Sequence, residues 1–375
     1  MKIFFDHKIF TKQCYGGPSR YYTNLVSKLN DLSEIEAKIY APIHINYFLS
    51  QISSKNVAIS NKLPFSKTLE KINSIKKQIL KLNDIFNENY LKKFNPDIVH
   101  TTYYDENFPK YSDNLVITVF DLIHEIFSKD YGNQIKFLPK IKILKSAREI
   151  ICISNSTKKD LIKFYDIPEE KISVTYLANS LTISNNIDEY ENNINNDKYF
   201  LYVGGRWKYK NFSQLIYALN HRPEILNDLK LLVFGGGTFN EDEKKLFNKL
   251  NIRMDRITHI NGDENLLRSL YKNAEFFIYT SKYEGFGIPI LESFSQNCPV
   301  LCSNTSSLPE VAGDAAIYFN PDDYTSISEA IEKIIYSNNE KGNLIKKGRE
   351  RLKLFSWEKC AEETNKVYKK ILDTK

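Results

Sequence analysis

The sequence predicts an α/β protein of two domains, each built around a parallel β-sheet. Short apolar runs of strand length alternate along the chain with longer stretches of helical spacing, and strand-helix-strand repetition sets successive strands side by side in parallel. With 375 residues, 42% apolar and 26% charged, the chain has room for two full cores and an ordinary globular composition. The stretch from Thr182 to Lys198, TISNNIDEYENNINNDK, is dense in Asn and lacks apolar periodicity, so it reads as an interdomain linker at about 181–197. Domains are therefore expected over 1–180 and 198–356.

In the first half, Lys2 to Asp6 opens as a strand, and Gly16-Gly17-Pro18 leads into a helix with Tyr22, Leu25, Val26 and Leu29 on one face. A glycine pair before a helix lets backbone approach a ligand, although most such pairs serve turns. Residues 66–93 place Leu69, Ile72, Ile75, Ile79, Leu82 and Phe86 at steps of three and four, with Lys67, Lys71, Lys76, Lys77 and Lys81 elsewhere around the turn. This predicts a basic amphipathic helix whose apolar stripe packs on the sheet, its lysines free to meet anionic lipid. Strands follow at Asp97–Thr101, Leu115–Phe120, Glu149–Ile153 and Ile172–Tyr176, with a helix capped at Ser154 and running to about Phe164. Asp121 stands at the carboxyl end of one strand and His124 three residues beyond, both candidates for a site and both equally explicable as structural residues.

The second half opens with a strand at Tyr199–Val203, then Gly204-Gly205-Arg206-Trp207-Lys208-Tyr209-Lys210-Asn211. Glycines for close approach, and two cations four residues apart before a helix, suit a diphosphate; they also suit plain surface charge. Leu229–Phe234 is a strand ending in Gly235-Gly236-Gly237, where neither the spacing nor the acidic ribose contact of a nicotinamide-binding fingerprint follows. Ile257 to Gly262 gives a short strand and turn, and Leu266 to Ala274 a helix.

The most informative run is Tyr279–Pro309, YTSKYEGFGIPILESFSQNCPVLCSNTSSLP. Strands at Phe276–Tyr279 and Pro299–Cys302 flank a short helix with Pro289 at its start and Asn297 at its stop, which is one β-α-β crossover. Ligands of such units bind beyond the carboxyl ends of the strands, here at the loop Glu284-Gly285-Phe286-Gly287 and the helix-start N–H groups near Gly287 and Ile288. Glu284 and Glu292, eight residues apart and with Glu292 expected in the first helical turn, are placed to flank one pocket and accept hydrogen bonds from sugar hydroxyls. A helix from Ser306, a strand at Ala315–Phe319 and further helices close the chain.

No run of 18 to 20 apolar residues is present, and MKIFFDHKIF is a strand pattern carrying Asp6 rather than a signal peptide, so a cytoplasmic protein is expected. Cys14, Cys152, Cys298, Cys302 and Cys360 are scattered and read as reduced core thiols, with no zinc site. The net charge of +6 comes from Lys-rich helices rather than a block, which favours weak attraction to anionic lipid over nucleic-acid binding.

The run around Glu284 and Glu292 resembles the E-x7-E signature of retaining glycosyltransferases of family 4, the large family containing sucrose synthase, lipopolysaccharide mannosyltransferases and phosphatidylinositol mannosyltransferases. The segment Gly204–Asn211 is similar to the family's Gly-x-Arg…Lys-Asn element, and Gly16-Gly17 with Ser19-Arg20-Tyr21 to its glycine-rich first loop. The resemblance implies the GT-B fold, two Rossmann-like domains facing each other across a cleft, with the last helix, about 357–372, crossing back to the first. It implies donor binding by Gly16, Gly17, Gly204, Arg206, Lys210, Glu284, Gly285, Phe286, Gly287, Ile288 and Glu292. Arg206 and Lys210 would hold the diphosphate, Glu284 the sugar ring and Glu292 the ribose. Asp121 matches the family pattern, whereas Phe120 stands where many members carry a His that contacts the donor sugar; His124 is the substitute candidate.

The implied reaction needs no cofactor beyond the nucleotide-sugar. It needs no metal, since no Asp-x-Asp closes a strand. Gly16–Arg20, Thr118–Ile123 and Ser306–Val311 look like the branch containing O-antigen mannosyltransferases. That likeness implies GDP-mannose as the first donor, UDP-linked N-acetylglucosamine, glucose or galactose as the next, and as acceptor a glycan or lipid-linked glycan of cell-surface polysaccharide synthesis docking on the first domain. A sugar-nucleotide epimerase and a non-catalytic nucleotide-sugar-binding subunit remain as alternatives.

Overall fold

A computed structural model describes residues 1–104, 113–131, 138–179, 181 and 197–374; most of the expected linker, 182–196, lies outside the described residues. The chain divides into two compact units, one of Met1–Glu125, Tyr131–Leu177 and Ser356–Lys375, the other of Ile126–Asp130 and Ala178–Phe355.

Among the described residues the first unit holds β1 (Lys2–Phe5), β2 (Glu36–His44), β3 (Val57–Lys62), β4 (Ile98–Thr101), β5 (Leu115–Val119), β6 (Glu149–Cys152) and β7 (Ile172–Val174). They form one parallel sheet in the order β3-β2-β1-β4-β5-β6-β7. Strands buried on both faces read as continuous apolar runs, which is why IFF, LVITV and EIIC were legible as strands. β2 and β3 escape that reading. β2, EAKIYAPIH, interrupts its apolar residues with Lys38, Pro42 and His44, and β3, VAISNK, is an edge strand whose side chains are all at least partly exposed.

The strand order reverses between β1 and β4, and buried Asp6 ties their carboxyl ends together. Its Oδ2 accepts from Thr101 Oγ1 at 2.6 Å, and its Oδ1 from Thr102 Oγ1 at 2.5 Å and from the Lys8 N–H at 3.0 Å. Helix Trp357–Asp373 packs within this unit beside helix Gly17–Leu29. Tyr368 OH lies 2.6 Å from His100 Nδ1, and Lys370 Nζ 2.9 Å from Glu149 Oε1.

The single helix expected over 66–93 is two, Ser66–Leu69 and Asn73–Phe94, and of its expected stripe Ile79 is buried while Leu82 and Phe86 are not. The buried face runs from Ile79 through Asn83, Asn87, Leu91 and Phe94. Asn83 decides the rotation: its Oδ1 accepts from the Ile43 N–H at 3.1 Å and its Nδ2 donates to the Ile43 carbonyl at 2.8 Å. One residue is about 100° of helix, so burying 83 and 87 turns Leu82 and Phe86 outward; they are 46% and 43% exposed.

The second unit contains β8 (Tyr199–Val203), β9 (Lys230–Phe234), β10 (Ile257–Ile260), β11 (Phe277–Tyr279), β12 (Val300–Ser303) and β13 (Ala316–Phe319), parallel in the order β10-β9-β8-β11-β12-β13. That is the doubly wound order of a dinucleotide-binding sheet, with its reversal between β8 and β11. Phe200 and Phe276 stack at 5.0 Å in a core that continues through Leu215, Ile216, Val233, Ile278 and Leu301. Burying each such side chain contributes roughly 1.5–3 kcal/mol, enough to hold the loops beyond the strand ends on a rigid base.

Candidate functional site

The loops that follow β8 and β11 border the reversal, where an open α/β sheet leaves a crevice for ligand. Val203 ends β8, and Gly204 turns the chain with φ +115°, a conformation that suits glycine. The chain then makes one 3₁₀ turn, Lys208–Lys210, and enters helix Phe212–His221 through Asn211, whose left-handed φ of +62° is tolerated by Asn. This aims Lys210 back under the loop of β11. Its Nζ lies 2.6 Å from Glu284 Oε1, with only 17% and 10% of the two side chains exposed. Two further bonds lace the loops: Thr280 Oγ1 donates to the Lys210 carbonyl at 3.0 Å, and the Lys282 N–H to the Tyr209 carbonyl at 2.8 Å.

The Glu284–Gly287 loop is fixed from its other side by two serines, Ser306 and Ser307, that precede helix Leu308–Ala312. Ser306 Oγ accepts from the Glu284 N–H at 2.9 Å, and Ser307 Oγ donates to the carbonyls of Glu284 and Phe286 at 2.8 Å. Gly287 has φ +112° and caps helix Ile288–Ser295; a Cβ there would meet Leu308 Cδ2 at 3.0 Å. Glu292 lies one turn further into that helix than expected, buried, with Tyr271 OH 3.4 Å from its Oε2. Each glutamate thus faces a buried tyrosine. Burial first, then the Glu284 carboxylate, holds the Tyr279 hydroxyl well above its usual range, and burial and Glu292 do the same for Tyr271. Tyr279 falls within the apolar run Phe276–Tyr279 and Tyr271 on helix Glu264–Asn273, where pattern marks both only as core.

Arg206 sits apart from Lys210 and Glu284 in its bonding. Its side chain is 4% exposed, and its Nε lies 2.7 Å from Glu243 Oε1. The guanidinium donates to the carbonyls of Gly235, Gly237 and Thr238 at 3.0, 2.9 and 3.0 Å and lies 5.0 Å over the Phe239 ring. Gly235, Gly236 and Gly237 all have positive φ, from +71° to +82°. Expected as a diphosphate ligand, Arg206 here spends its donors on the triglycine loop. The acidic partner, Glu243, lies 37 residues away, and nothing beside Arg206 in the chain points to it.

The remaining candidates lie in the first unit. Gly16 precedes helix Gly17–Leu29 in extended conformation, and a Cβ there would collide with Gln13 Oε1 at 1.5 Å, while Gly17 has open space. Asp121 follows β5, accepts the Ile123 N–H at 3.1 Å, and burial raises its carboxyl above the ordinary range. His124 is exposed on the short helix Ile123–Ile126. Phe120 packs edge-on against Tyr21 and Tyr22 at 5.3 and 5.9 Å. Beside it the structure adds a buried group that the sequence did not signal: Glu125 Oε1 lies 2.6 Å from Lys140 Nζ and accepts from Tyr165 OH.

Comparison with known proteins matches residues 15–178 to Glycosyltransferase Family 4 and residues 184–351 to Glycosyl transferases group 1. This chain is a family 4 glycosyltransferase. The enzyme is 32% identical over 237 residues to O-antigen chain mannosyltransferase B of Escherichia coli, a match covering 60% of this chain and 61% of that protein. It is 27% identical over 325 residues to O-antigen chain mannosyltransferase RfbU of Salmonella typhimurium, covering 85% and 87%. Among solved structures, sucrose-phosphate synthase of Thermosynechococcus elongatus aligns over the whole of both chains with a TM-score of 0.77 at 17% identity, which establishes the GT-B fold of two Rossmann-like domains. No helix among the described residues is long and apolar enough to cross a membrane.

Proposed function

We propose that this glycosyltransferase moves a hexosyl group, mannose from GDP-mannose in the first instance, onto a glycan or lipid-linked glycan of a cell-surface polysaccharide, with retention of configuration and without a metal ion. The observation that carries the reading is the Lys210–Glu284 pair at the strand-order reversal, 2.6 Å apart and nearly buried. The O-antigen mannosyltransferases it resembles supply the choice of sugar and pathway class.

Lys210 Nζ and the N–H groups at the start of helix Ile288–Ser295 are the cations and dipoles that would neutralise a diphosphate. Each such preorganised group is typically worth a few kcal/mol in the transition state. Glu284, turned by the ligand from Lys210 toward the sugar, would hold its hydroxyls, and Glu292 the ribose. In the step itself the bond between the sugar's anomeric carbon and the diphosphate oxygen breaks. The acceptor oxygen bonds to that carbon on the same face, and its proton passes to the departing diphosphate.

The test is release of nucleoside diphosphate from a panel of GDP- and UDP-sugars, with and without EDTA, for the wild type, Glu284→Ala and Lys210→Ala. Release from one donor that survives EDTA and falls about 100-fold or more in both variants, the scale of a lost transition-state donor, is the expected result. Loss of release in EDTA would overturn the metal-free reading. Release from UDP-sugars alone would replace mannose, and no release from any donor with lipid-linked acceptors added would leave a nucleotide-sugar-binding subunit.

A peripheral position on anionic membrane is also proposed, on the outward turn of the helix Asn73–Phe94. Leu82, Ile85 and Phe86 are 46%, 61% and 43% exposed there, on a helix that also carries Lys76, Lys77 and Lys81.

A further inference from the structure

The loops beyond β1, β2 and β3 line an open pocket of about 570 Å³ that the donor chemistry leaves unused. That size lies within the range of small-molecule sites, and carboxyl ends of strands are where such sheets bind ligand. One wall is an aromatic platform. Tyr15 and Tyr47 stack at 4.7 Å and 21° while remaining 52% and 39% exposed, and Phe48 meets both edge-on at 5.6 and 5.7 Å. Phe65, 83% exposed and held at a left-handed φ of +54°, also lines the pocket. Exposed aromatic rings are what a sugar ring's C–H face packs against.

The second observation is charge. Lys62 and Lys67 both line the pocket, and both act electrostatically on the Cys14 thiol in its floor, so they converge on one space. Among the described residues neither has a carboxylate within ion-pair distance, and Lys62 Nζ stands 5.3 Å over the Tyr47 ring instead. The one acid nearby, Glu70, uses Oε1 to accept the Cys14 N–H at 2.9 Å. Two lysines without counter-ions beside a sugar-sized aromatic platform form a site for a phosphate attached to a sugar, because ammonium groups bind phosphate as point charges.

We propose that this pocket binds the acceptor, and that the acceptor is a saccharide bearing a phosphate or diphosphate at its reducing end: the phosphate on Lys62 and Lys67, the adjoining sugar against Tyr15 and Tyr47. The assignment rests on the glycosyl-transfer reading and narrows it by naming the acceptor's chemistry.

Calorimetry on the full chain tests it with N-acetylglucosamine 1-phosphate, N-acetylglucosamine, and farnesyl-diphospho-N-acetylglucosamine in detergent. The proteins are the wild type, the double variant Lys62→Gln/Lys67→Gln, and Tyr47→Leu. The double variant alters exposed side chains only, and its melting temperature should match wild type. The expected result is binding of a phosphorylated sugar that weakens about tenfold or more in the double variant, one decade being the effect of a single good contact, and weakens also in Tyr47→Leu. The unphosphorylated sugar should bind far more weakly, and affinity for the nucleotide-sugar should not change. Binding of the soluble phosphate identifies a free sugar phosphate; binding of the farnesyl compound alone identifies a lipid-linked one. Failure of both to bind wild type, or equal binding by the double variant, overturns the proposal. Calorimetry needs no turnover, so phosphorylated-sugar binding without any nucleoside-diphosphate release would sink the transfer reaction and leave the pocket standing.

Discussion

Arg206 and Lys210 are four residues apart, both cationic, and both follow the same strand, yet the fold gives them different work. Lys210 meets Glu284, a partner that the ligand chemistry also wants, while Arg206 is surrounded by Glu243 and three carbonyls of the triglycine loop. A guanidinium has five donors in a fixed fork and suits such an arrangement better than an ammonium. Removing it would leave a nearly buried carboxylate with the Asn240 N–H as its remaining partner. Arg206→Ala is therefore expected to cost about 2–4 kcal/mol of stability, read from the denaturation midpoint. Were Arg206 instead free to serve only the diphosphate, the variant would keep wild-type stability and lose donor affinity alone. The local signal, two cations before a helix, was legible; which of them has a carboxylate 37 residues away was not, because that depends on where helix Glu241–Lys249 packs.

At the scale of elements, strands and helix caps were readable because their physics is local. Ser154 caps helix Asn155–Tyr165 as its sequence position suggested, its Oγ accepting from the Thr157 N–H at 3.0 Å. The face a helix buries is a different matter. Apolar spacing pointed to Leu82 and Phe86, and the bonds of Asn83 to Ile43 turned them to solvent instead. A polar side chain that satisfies a strand's free backbone groups outweighs an apolar stripe there, since unmet buried donors cost about 1–3 kcal/mol each. Substituting Leu82 and Phe86 together by Ser should leave stability within about 0.5 kcal/mol per site, as for ordinary surface changes. It should reduce co-sedimentation with anionic vesicles. Unchanged co-sedimentation would remove this face as the membrane contact.

At the scale of the whole molecule, buried His44 and His100 make stability depend on pH. Burial, with Lys62 adding to it, lowers the His44 pKa to about 4, and burial lowers that of His100 to about 3, against an ordinary value of 6.5. The unfolded chain therefore takes up protons first as pH falls, so the stability these groups contribute is complete above pH 6.5 and is lost on descending toward pH 4 and 3. Two protons correspond to about 2.7 kcal/mol per pH unit at the steepest. Denaturant titrations at stepped pH should show this slope between pH 6 and 5, reduced by about one proton in His44→Gln; an unaltered slope would mean His44 is not buried neutral. By itself the sequence determined the α/β class, eleven of the thirteen strands of the described residues and the motif carrying Lys210, Glu284 and Glu292, since apolar runs, glycines and caps act over a few residues. Only the tertiary structure decided β2 and β3, the exposed side of helix Asn73–Phe94, the capture of Arg206 and the pocket at Tyr15 and Tyr47. Each of those depends on groups tens of residues apart in the chain, and spacing along a sequence carries no record of which distant surfaces meet.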